Sequence, residues 1–304
     1  MSLINDNPLV SIVVITYNSS EFIIETLDSI YKQTYKKIEL IISDDCSSDE
    51  TITLCNQWVN EHKNRFVRTE VIANSINTGV AENCNRGYKA SKGVWIKGIA
   101  GDDILLPNCI ESYIDYTENN RDINICVSKA QCFHVSSDGE QVYDNIIPTI
   151  ENQQIYKLDA ISQLKVLLKG NIIVTPTMFV KKDIFLKYPF KEIYRYMEDI
   201  PFLIDVTKNN IKIHFLDEVT VLYRFSQASL SQVNSTFFPT RMFETKAIFF
   251  LNEKKNIMEK YSPEIISIEQ KRLILWGVTE YYLHNDASSF INRIIYKILN
   301  FILK

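Results

Sequence analysis

The pattern of hydrophobic and polar positions divides the first part of the chain into apolar runs separated by amphipathic stretches. Val10–Thr16 is a continuous run rich in valine and isoleucine, and a second such run follows at 38–43. Continuous runs of this length are typical of parallel strands that are buried on both faces. Between the two runs, Ile23, Leu27 and Ile30 recur at helical spacing. The pattern therefore predicts an alternation of strands and helices.

The alternation continues through two further strands. A third strand is predicted near 67–72, a helix runs through Tyr88, and Gly93 begins the fourth strand. Ser47 and Glu50 have the spacing of a capping box at the start of the helix that follows the second strand. Because strand and helix alternate over about a hundred residues, we predict an α/β fold with a Rossmann-like, doubly wound sheet and right-handed crossovers.

The second half of the chain shows a different pattern. Here the sequence predicts a long strand at 123–135, followed by a hairpin turn at Gly139. A helix at 158–168 ends before Gly170, and two further strands are predicted at 172–180 and 211–216. Pro201 marks the first turn of another helix and places Asp199 at its N-terminus. The sheet is therefore expected to become mixed. From residue 237 onward only helical patterns occur, so we predict an α/β domain at 1–236 and a helical appendage at 237–304.

Adjacent carboxylates follow two of the predicted strands. Asp44 and Asp45 end the second strand, and Asp102 and Asp103 end the fourth. Ligands of open α/β sheets bind beyond the carboxyl ends of the strands, and carboxylates there suit a hard divalent cation. The sequence contains no Walker loop and no G-x-G-x-x-G, so a bound nucleotide would need a metal to hold its phosphates. The alternative is that these residues form solvated turns, or that Asp45 caps the following helix.

Composition narrows the class of protein. The chain has 304 residues, of which 46% are hydrophobic, so it can bury a large core. Because its net charge is −4, it is not expected to bind nucleic acid. Its six cysteines include no C-x-x-C pair, which favours reduced thiols in a cytoplasmic protein. No signal peptide or membrane-spanning run is predicted.

Five motifs, taken together and in order, resemble the family 2 glycosyltransferases of the GT-A fold. They lie at 10–18, 44–49, 77–79 with Asn85, 101–103 and 198–199, and the resemblance extends over residues 8–230. It implies an inverting, metal-dependent hexosyl- or N-acetylhexosaminyltransferase that uses a nucleoside-diphosphate sugar, with UDP expected. The implied acceptor is a hydroxyl of a saccharide or of a lipid-linked sugar, in the synthesis of a bacterial cell-surface polysaccharide such as a capsule.

The resemblance also implies which residues bind the donor nucleotide. Tyr17 would stack on the nucleobase, and Asp45 would accept the imide N–H of uracil. Thr16 and Asn77 would line the same nucleotide. Without the resemblance, the sequence favours a core aromatic residue at Tyr17. Asp45 is expected to be free for a ligand because Ser47 is predicted to cap the next helix.

Metal binding and catalysis are assigned to other carboxylates by the same resemblance. Asp102 would lie against the ribose, and Asp103, with Asp102, would bind Mg²⁺ or Mn²⁺ at the diphosphate. Arg224 belongs to a segment, extending to Ser229, that would close over the donor phosphates. Asp199 would be the general base, and its position at a helix N-terminus should keep it ionised.

The C-terminal segment 289–304 predicts a basic amphipathic helix. Arg293, Lys297, Asn300 and Lys304 lie on one side of it, apolar residues cover the other, and no acidic residue occurs in it. Such a helix can lie in the headgroup layer of a membrane, which here would be the inner face. The alternatives are packing on the protein's own core or on a second subunit in a homodimer.

Two other classes of protein remain open at this point. A receiver-like signalling module also binds Mg²⁺ at acidic strand ends, but it is only about 120 residues long and would leave over half of this chain unexplained. A transferase-like domain that binds nucleotide-sugars without catalysis is the other alternative.

Overall fold

The computed structural model describes residues 7–136, 138–170, 172–194, 196–225 and 240–302. Within these ranges nine strands form one mixed sheet with helices on both faces. Alternate residues of the first strand enter two separate buried clusters, Val13 with the helix that carries Ala81 and Ile12 with the helix that carries Leu27. A sheet covered on both faces confirms the doubly wound α/β prediction.

The first half follows the predicted alternation closely. Its elements are β1 (Val10–Thr16), α1 (Ile23–Tyr31), β2 (Ile38–Asp44), α2 (Thr51–His62), β3 (Arg68–Ala73), α3 (Val80–Ala90) and β4 (Trp95–Ala100). β1 pairs in parallel with β2 and β4, and β2 pairs in parallel with β3. These four parallel strands are those that the sequence predicts, with bounds that differ by one or two residues.

The second half makes the sheet mixed, as predicted. Its elements are β5 (Ile104–Leu105), α4 (Cys109–Glu118), β6 (Ile125–Val135), β7 (Gln141–Ile147), α5 (Ala160–Lys169), β8 (Phe179–Lys181), α6 (Lys182–Lys187), α7 (Asp199–Lys208) and β9 (Ile213–Arg224). The strand order is β3-β2-β1-β4-β8-β6-β9-β5, and β7 forms a hairpin with β6. β8 is antiparallel to both β4 and β6.

Two sequence predictions about local structure are wrong. The strand predicted at 172–180 shrinks to β8, because Thr175–Thr177 forms a 3₁₀ turn around a proline, which has no N–H to donate to a sheet. The capping box before α2 does not form. Instead, Asp49 accepts the N–H of Thr51 at 3.0 Å, while Ser47 hydrogen-bonds to Asp44.

The C-terminal region is helical and packs on the α/β part. It comprises α8 (Thr240–Phe249), a π-helical segment (Phe250–Lys254), α9 (Lys255–Tyr261), α10 (Ile266–Leu283) and α11 (Phe290–Ile302). Phe249 and Met258 belong to the same buried cluster as Tyr194 and Phe202. The predicted boundary at 236/237 lies outside the described residues. No helix within the described ranges is long and apolar enough to cross a membrane.

Candidate active site

The acidic ends of β2 and β4 meet at one edge of the sheet, with the end of β1 between them. Thr16 on β1 lies opposite Asp44 on β2, and Ile15 lies opposite Ala100 on β4. Gly101 permits this close approach, because a Cβ atom there would lie 2.9 Å from Cγ2 of Thr16. The prediction that both acidic pairs share an edge of the sheet is therefore confirmed.

Asp103 has a carboxylate oxygen that is buried and unpaired. The side chain is 1% exposed, and its Oδ1 accepts the backbone N–H of Arg224 at 2.9 Å. Its Oδ2 has no hydrogen-bond partner within the part of the chain that the structure describes. Burial, and then the neighbouring charge of Asp102, raises the pKa of the Asp103 carboxyl well above its ordinary value. Either a proton or a cation would supply the missing partner of a buried carboxylate in this state.

Arg224 holds the Asp102–Asp103 turn in place. Its Nε donates to the backbone oxygen of Asp102 at 2.8 Å, and its Nη2 pairs with Glu25. The guanidinium carbon also lies 4.5 Å from the ring centroids of both Phe22 and Phe133. The side chain is thus fully engaged with α1 and the strand-end turn. The predicted contact of Arg224 with donor phosphates stays a prediction, and the adjoining segment from Ser226 to Ser229 lies outside the described residues.

Asp45 is tied to the start of α3. Its carboxylate accepts the N–H of Thr78 at 3.0 Å, the hydroxyl of Thr78 at 2.7 Å and the N–H of Gly79 at 2.7 Å. Gly79 adopts φ 94°, a left-handed conformation that glycine allows without strain. The sequence argument expected Asp45 to be free for a ligand, but its carboxylate oxygens already accept hydrogen bonds from the residues at the start of α3. Its contact with uracil stays a prediction.

The other predicted nucleotide-binding residues surround this edge. Tyr17 follows β1 and is 52% exposed, so it is not a core aromatic residue, and its ring is available for stacking. Thr16 donates its hydroxyl to Asp44 at 3.0 Å. The side-chain amide of Asn77 donates to the backbone oxygen of Asp45 at 3.3 Å. The structure thus places Tyr17 directly after β1, whose end lies between the ends of β2 and β4, and Asn77 against Asp45 after β2.

Asp199 begins α7, as predicted, and is half-buried. Its Oδ2 accepts the hydroxyl of Thr175 at 3.0 Å, and its Oδ1 accepts the N–H of Ile200 at 2.7 Å. Burial raises the pKa of Asp199 despite these hydrogen bonds, so the expected effect of the helix terminus is outweighed. Burial, and then the charge of Asp199, raises the pKa of neighbouring Glu198 to about 7.

Tyr223 on β9 lies next to Arg224, whose backbone N–H binds Asp103. Burial, followed by the charges of Asp103, Asp102, Cys132 and, least of all, Asp199, raises the pKa of the Tyr223 hydroxyl to about 12. The charges of all three carboxylates contribute to this shift of the pKa. Tyr223 belongs to the same segment as Arg224, and the resemblance assigned it no separate role.

Two further residues support the site. Asn85 on α3 donates to the backbone oxygen of Phe190 at 2.8 Å and accepts its N–H at 3.1 Å, which anchors the segment that leads to Asp199. Lys97 on β4 is fully buried and donates to the backbone oxygen of Pro176 at 2.6 Å, within the turn that contacts Asp199. Burial lowers the pKa of Lys97 to about 8.

Comparisons with known proteins agree on one family. The sequence model of glycosyl transferase family 2 matches residues 11–188. An uncharacterised glycosyltransferase of Methanocaldococcus jannaschii is 30% identical over 220 residues, which are 72% of this chain and 71% of that protein. EpsJ of Bacillus subtilis, also an uncharacterised glycosyltransferase, is 29% identical over 231 residues, 74% of this chain and 64% of EpsJ. Chondroitin synthase of Escherichia coli is 26% identical over 51% of this chain and 21% of its own length.

Solved structures share the fold. Residues 1–349 of S. aureus TarS in complex with UDP-GlcNAc superpose with a TM-score of 0.59 and 19% identity, over 88% of this chain and 78% of that one. The UDP complex of the same protein gives a TM-score of 0.57 and 22% identity over the same shares. The predicted GT-A fold is thus confirmed.

Proposed function

The chain belongs to glycosyltransferase family 2, and on that premise we propose that it transfers a sugar from a UDP-sugar to a hydroxyl group with inversion at the anomeric carbon. The observation that carries the proposal is the buried, unpaired Oδ2 of Asp103 beside Asp102, at the edge of the sheet where ligands of such folds bind. Family membership also sets aside the receiver-like alternative.

Several features support a UDP-sugar as the donor. Tyr17 offers an exposed ring beside the acidic edge, as base stacking requires. The structural neighbour TarS was solved with UDP and with UDP-GlcNAc. A hexosyl or N-acetylhexosaminyl donor is therefore proposed.

Asp103 and Asp102 fit a divalent cation, Mg²⁺ or Mn²⁺. No group of three or more His, Cys, Asp or Glu side chains capable of holding a metal occurs in the described ranges. A metal held by one or two carboxylates completes its shell with substrate phosphates and water, which is the usual arrangement for Mg²⁺. When bound, the ion would stabilise the negative charge that develops on the diphosphate leaving group.

Asp199 is proposed as the general base. Its raised pKa brings its proton affinity closer to that needed to accept a proton from an acceptor hydroxyl near neutral pH. Thr175 and the N–H of Ile200 fix the carboxylate, so that its orientation is set before substrate binds. One base acting opposite the leaving group gives a single displacement, and hence inversion.

The acceptor is proposed to be a saccharide or a lipid-linked sugar in the synthesis of a cell-surface polysaccharide. The name of one relative, chondroitin synthase, is the support for this class of product. Nucleic acid is not proposed as a partner, because the net charge of −4 would repel it. A cytoplasmic location and a homodimer stay predictions.

The test compares Asp103→Asn and Asp199→Asn with Asp183→Asn, an exposed carboxylate in the first turn of α6. For Asp103→Asn we expect Mn²⁺ and UDP together to lose their effect on the melting temperature, because the metal ligand is removed. For Asp199→Asn we expect unchanged UDP binding and a fall in kcat of at least about 10²-fold, because a base is lost. Asp183→Asn should match the wild type.

Different results would contradict separate parts of the proposal. Full activity of Asp103→Asn, or of the wild type in excess chelator, would contradict the metal assignment. Loss of UDP binding in Asp199→Asn with an unchanged kcat would make Asp199 a donor-site residue. Nucleotide binding without transfer to any acceptor would favour the binding-only alternative.

A further inference from the structure

Helix α11 turns its apolar side away from the protein. The exposed apolar residues recur every three or four positions and form one stripe: Ile291, Ile294, Ile295, Ile298 and Phe301. Phe301 is 81% exposed and Ile291 is 66% exposed. When a surface helix packs on the core of its own protein, an apolar stripe with this spacing faces that core.

The side of α11 that faces the protein is the more polar one. Asn292 donates its side-chain amide to the backbone oxygens of Asp286 at 3.0 Å and of Leu283 at 3.3 Å, which fastens the helix to the end of α10. Asn292, Tyr296 and Leu299 are half-buried and form the less exposed side of the helix, next to the stripe. The structure therefore excludes the alternative that α11 buries its apolar stripe in the core of the described chain.

Positive charge borders the stripe. Arg293 and Lys297, one helical turn apart, are both exposed, and residues 287–302 contain no acidic residue although the whole chain carries a net charge of −4. Two copies of the helix joined through their stripes would bring like charges together. An anionic surface would neutralise them instead.

We propose that α11 lies on an anionic lipid bilayer, with its apolar stripe in the acyl boundary and Arg293 and Lys297 against the lipid headgroups. The helix is too short to span a bilayer, but its length suits an interfacial position. Tyr281 and Tyr282 are 74% and 70% exposed and directly precede Leu283, whose carbonyl oxygen binds α11. Tyrosine rings are favoured at the headgroup level of a membrane, which is where the proposal places α11.

The consequence for substrate concerns the acceptor and rests on the proposed function. A lipid-linked acceptor carries its sugar at the bilayer surface. An enzyme held there by α11 meets that acceptor in two dimensions. The membrane surface therefore selects the lipid-linked member of the two acceptor classes.

The test is co-sedimentation of the full chain with phosphatidylcholine vesicles, with and without phosphatidylglycerol. The first variant is Ile294→Ser/Ile298→Ser, and its matched control is Ile268→Ser/Ile274→Ser, which changes two isoleucines of similar exposure on α10. The second variant is Arg293→Gln/Lys297→Gln.

We expect the wild type and the α10 control to bind the anionic vesicles. The stripe variant should bind at least about ten-fold more weakly, because it loses apolar area in the acyl boundary. The charge variant should lose about five-fold per cation and most of its dependence on salt. Equal binding by the stripe variant and its control would overturn the proposal. So would a stripe-dependent dimer, measured by light scattering, that does not bind vesicles. Neither result depends on transferase activity.

Discussion

Glu198 and Asp199 are neighbouring carboxyl groups in a half-buried position, and one of them is the proposed base. Burial raises the pKa of both, and the charge of Asp199 contributes to raising that of Glu198 to about 7. The two groups titrate as a pair, so a transition near neutral pH belongs to the pair. Because the base must be unprotonated, kcat should rise with pH through this transition.

Glu198→Gln removes one of the two like charges and keeps the shape of the side chain. We expect the acid limb of the kcat profile to move to lower pH, because the remaining carboxyl loses a proton more readily without a charged neighbour. The measurement is kcat as a function of pH for the wild type and for Glu198→Gln, with exposed Glu264→Gln as the control. An acid limb that stays in place in Glu198→Gln would show that this pair does not control the reaction.

Individual residues also show where prediction from the sequence ends. The positions of Asp103 and Asp199 follow from strand and helix ends, which have local signals. The environment of Lys97 does not, because one of its two acceptors, the backbone oxygen of Pro176, is 79 positions away. A lysine in an apolar strand is usually expected to reach solvent. Only the folded chain shows that it lies buried between the acidic edge and the turn beside the base.

At the level of whole elements, α3 packs on the sheet through a contact that depends on a glycine. The hydroxyl of Tyr88 on α3 fills the space where a Cβ atom of Gly98 on β4 would lie, at a distance of 1.9 Å. Tyr88 is itself buried, and its ring centroid lies 4.6 Å from that of Phe185 and 5.6 Å from that of Phe190. The ring therefore has no free space into which it could move.

Gly98→Ala should reduce the free energy of unfolding by about 1–3 kcal/mol or more, because the added methyl group overpacks this contact. Gly170→Ala is the matched control. Gly170 has an extended backbone with φ 170°, and no atom lies within 4 Å of the position that an added Cβ would take. Gly170→Ala should therefore change the free energy of unfolding by no more than about 0.5 kcal/mol. Urea unfolding of both variants measures the difference. Equal midpoints would mean that α3 can shift without cost.

The limits of sequence prediction for these elements are also physical. β1 and β2 were predictable because they are buried on both faces and are therefore rich in apolar residues. β3 is a half-buried edge strand with a mixed sequence, so its signal is weaker. The 3₁₀ turn before β8 was not, although Pro176 excluded a regular strand there. The cap of α3 could not be predicted from local spacing either, because Asp45 reaches it from 33 positions away in the chain.

In the molecule as a whole, the C-terminal helices brace the segment that leads to Asp199. Glu253, in the π-helical segment, pairs with Lys191 and accepts the hydroxyl of Tyr194 at 2.7 Å. The ring of Tyr194 also lies 5.0 Å from that of Phe249 at the end of α8. The helical region predicted as an appendage is therefore joined to the catalytic part by both polar and apolar contacts, which no pattern within either part could reveal.

Glu253→Gln should lower the stability and kcat together. The variant removes the charge that pairs with Lys191 and turns the part-buried, charge-assisted hydrogen bond from Tyr194 into a neutral one, so we expect a loss of about 1 kcal/mol. Because this segment runs directly into α7, the orientation of Asp199 should become less uniform and kcat should fall. The apparent affinity for the UDP-sugar should change little, because Tyr17 and the Asp102–Asp103 turn lie on other elements. The measurements are urea unfolding and steady-state kinetics.

The matched control is Glu259→Gln, which removes an exposed carboxylate from α9, where its pair with Lys255 is 4.0 Å long. Exposed pairs at this spacing contribute at most about 0.5 kcal/mol, so this variant should behave like the wild type. If Glu253→Gln were as active and as stable as Glu259→Gln, the C-terminal helices would not brace the base. If Glu253→Gln weakened UDP binding and left kcat unchanged, the contact would act on the donor side of the site instead.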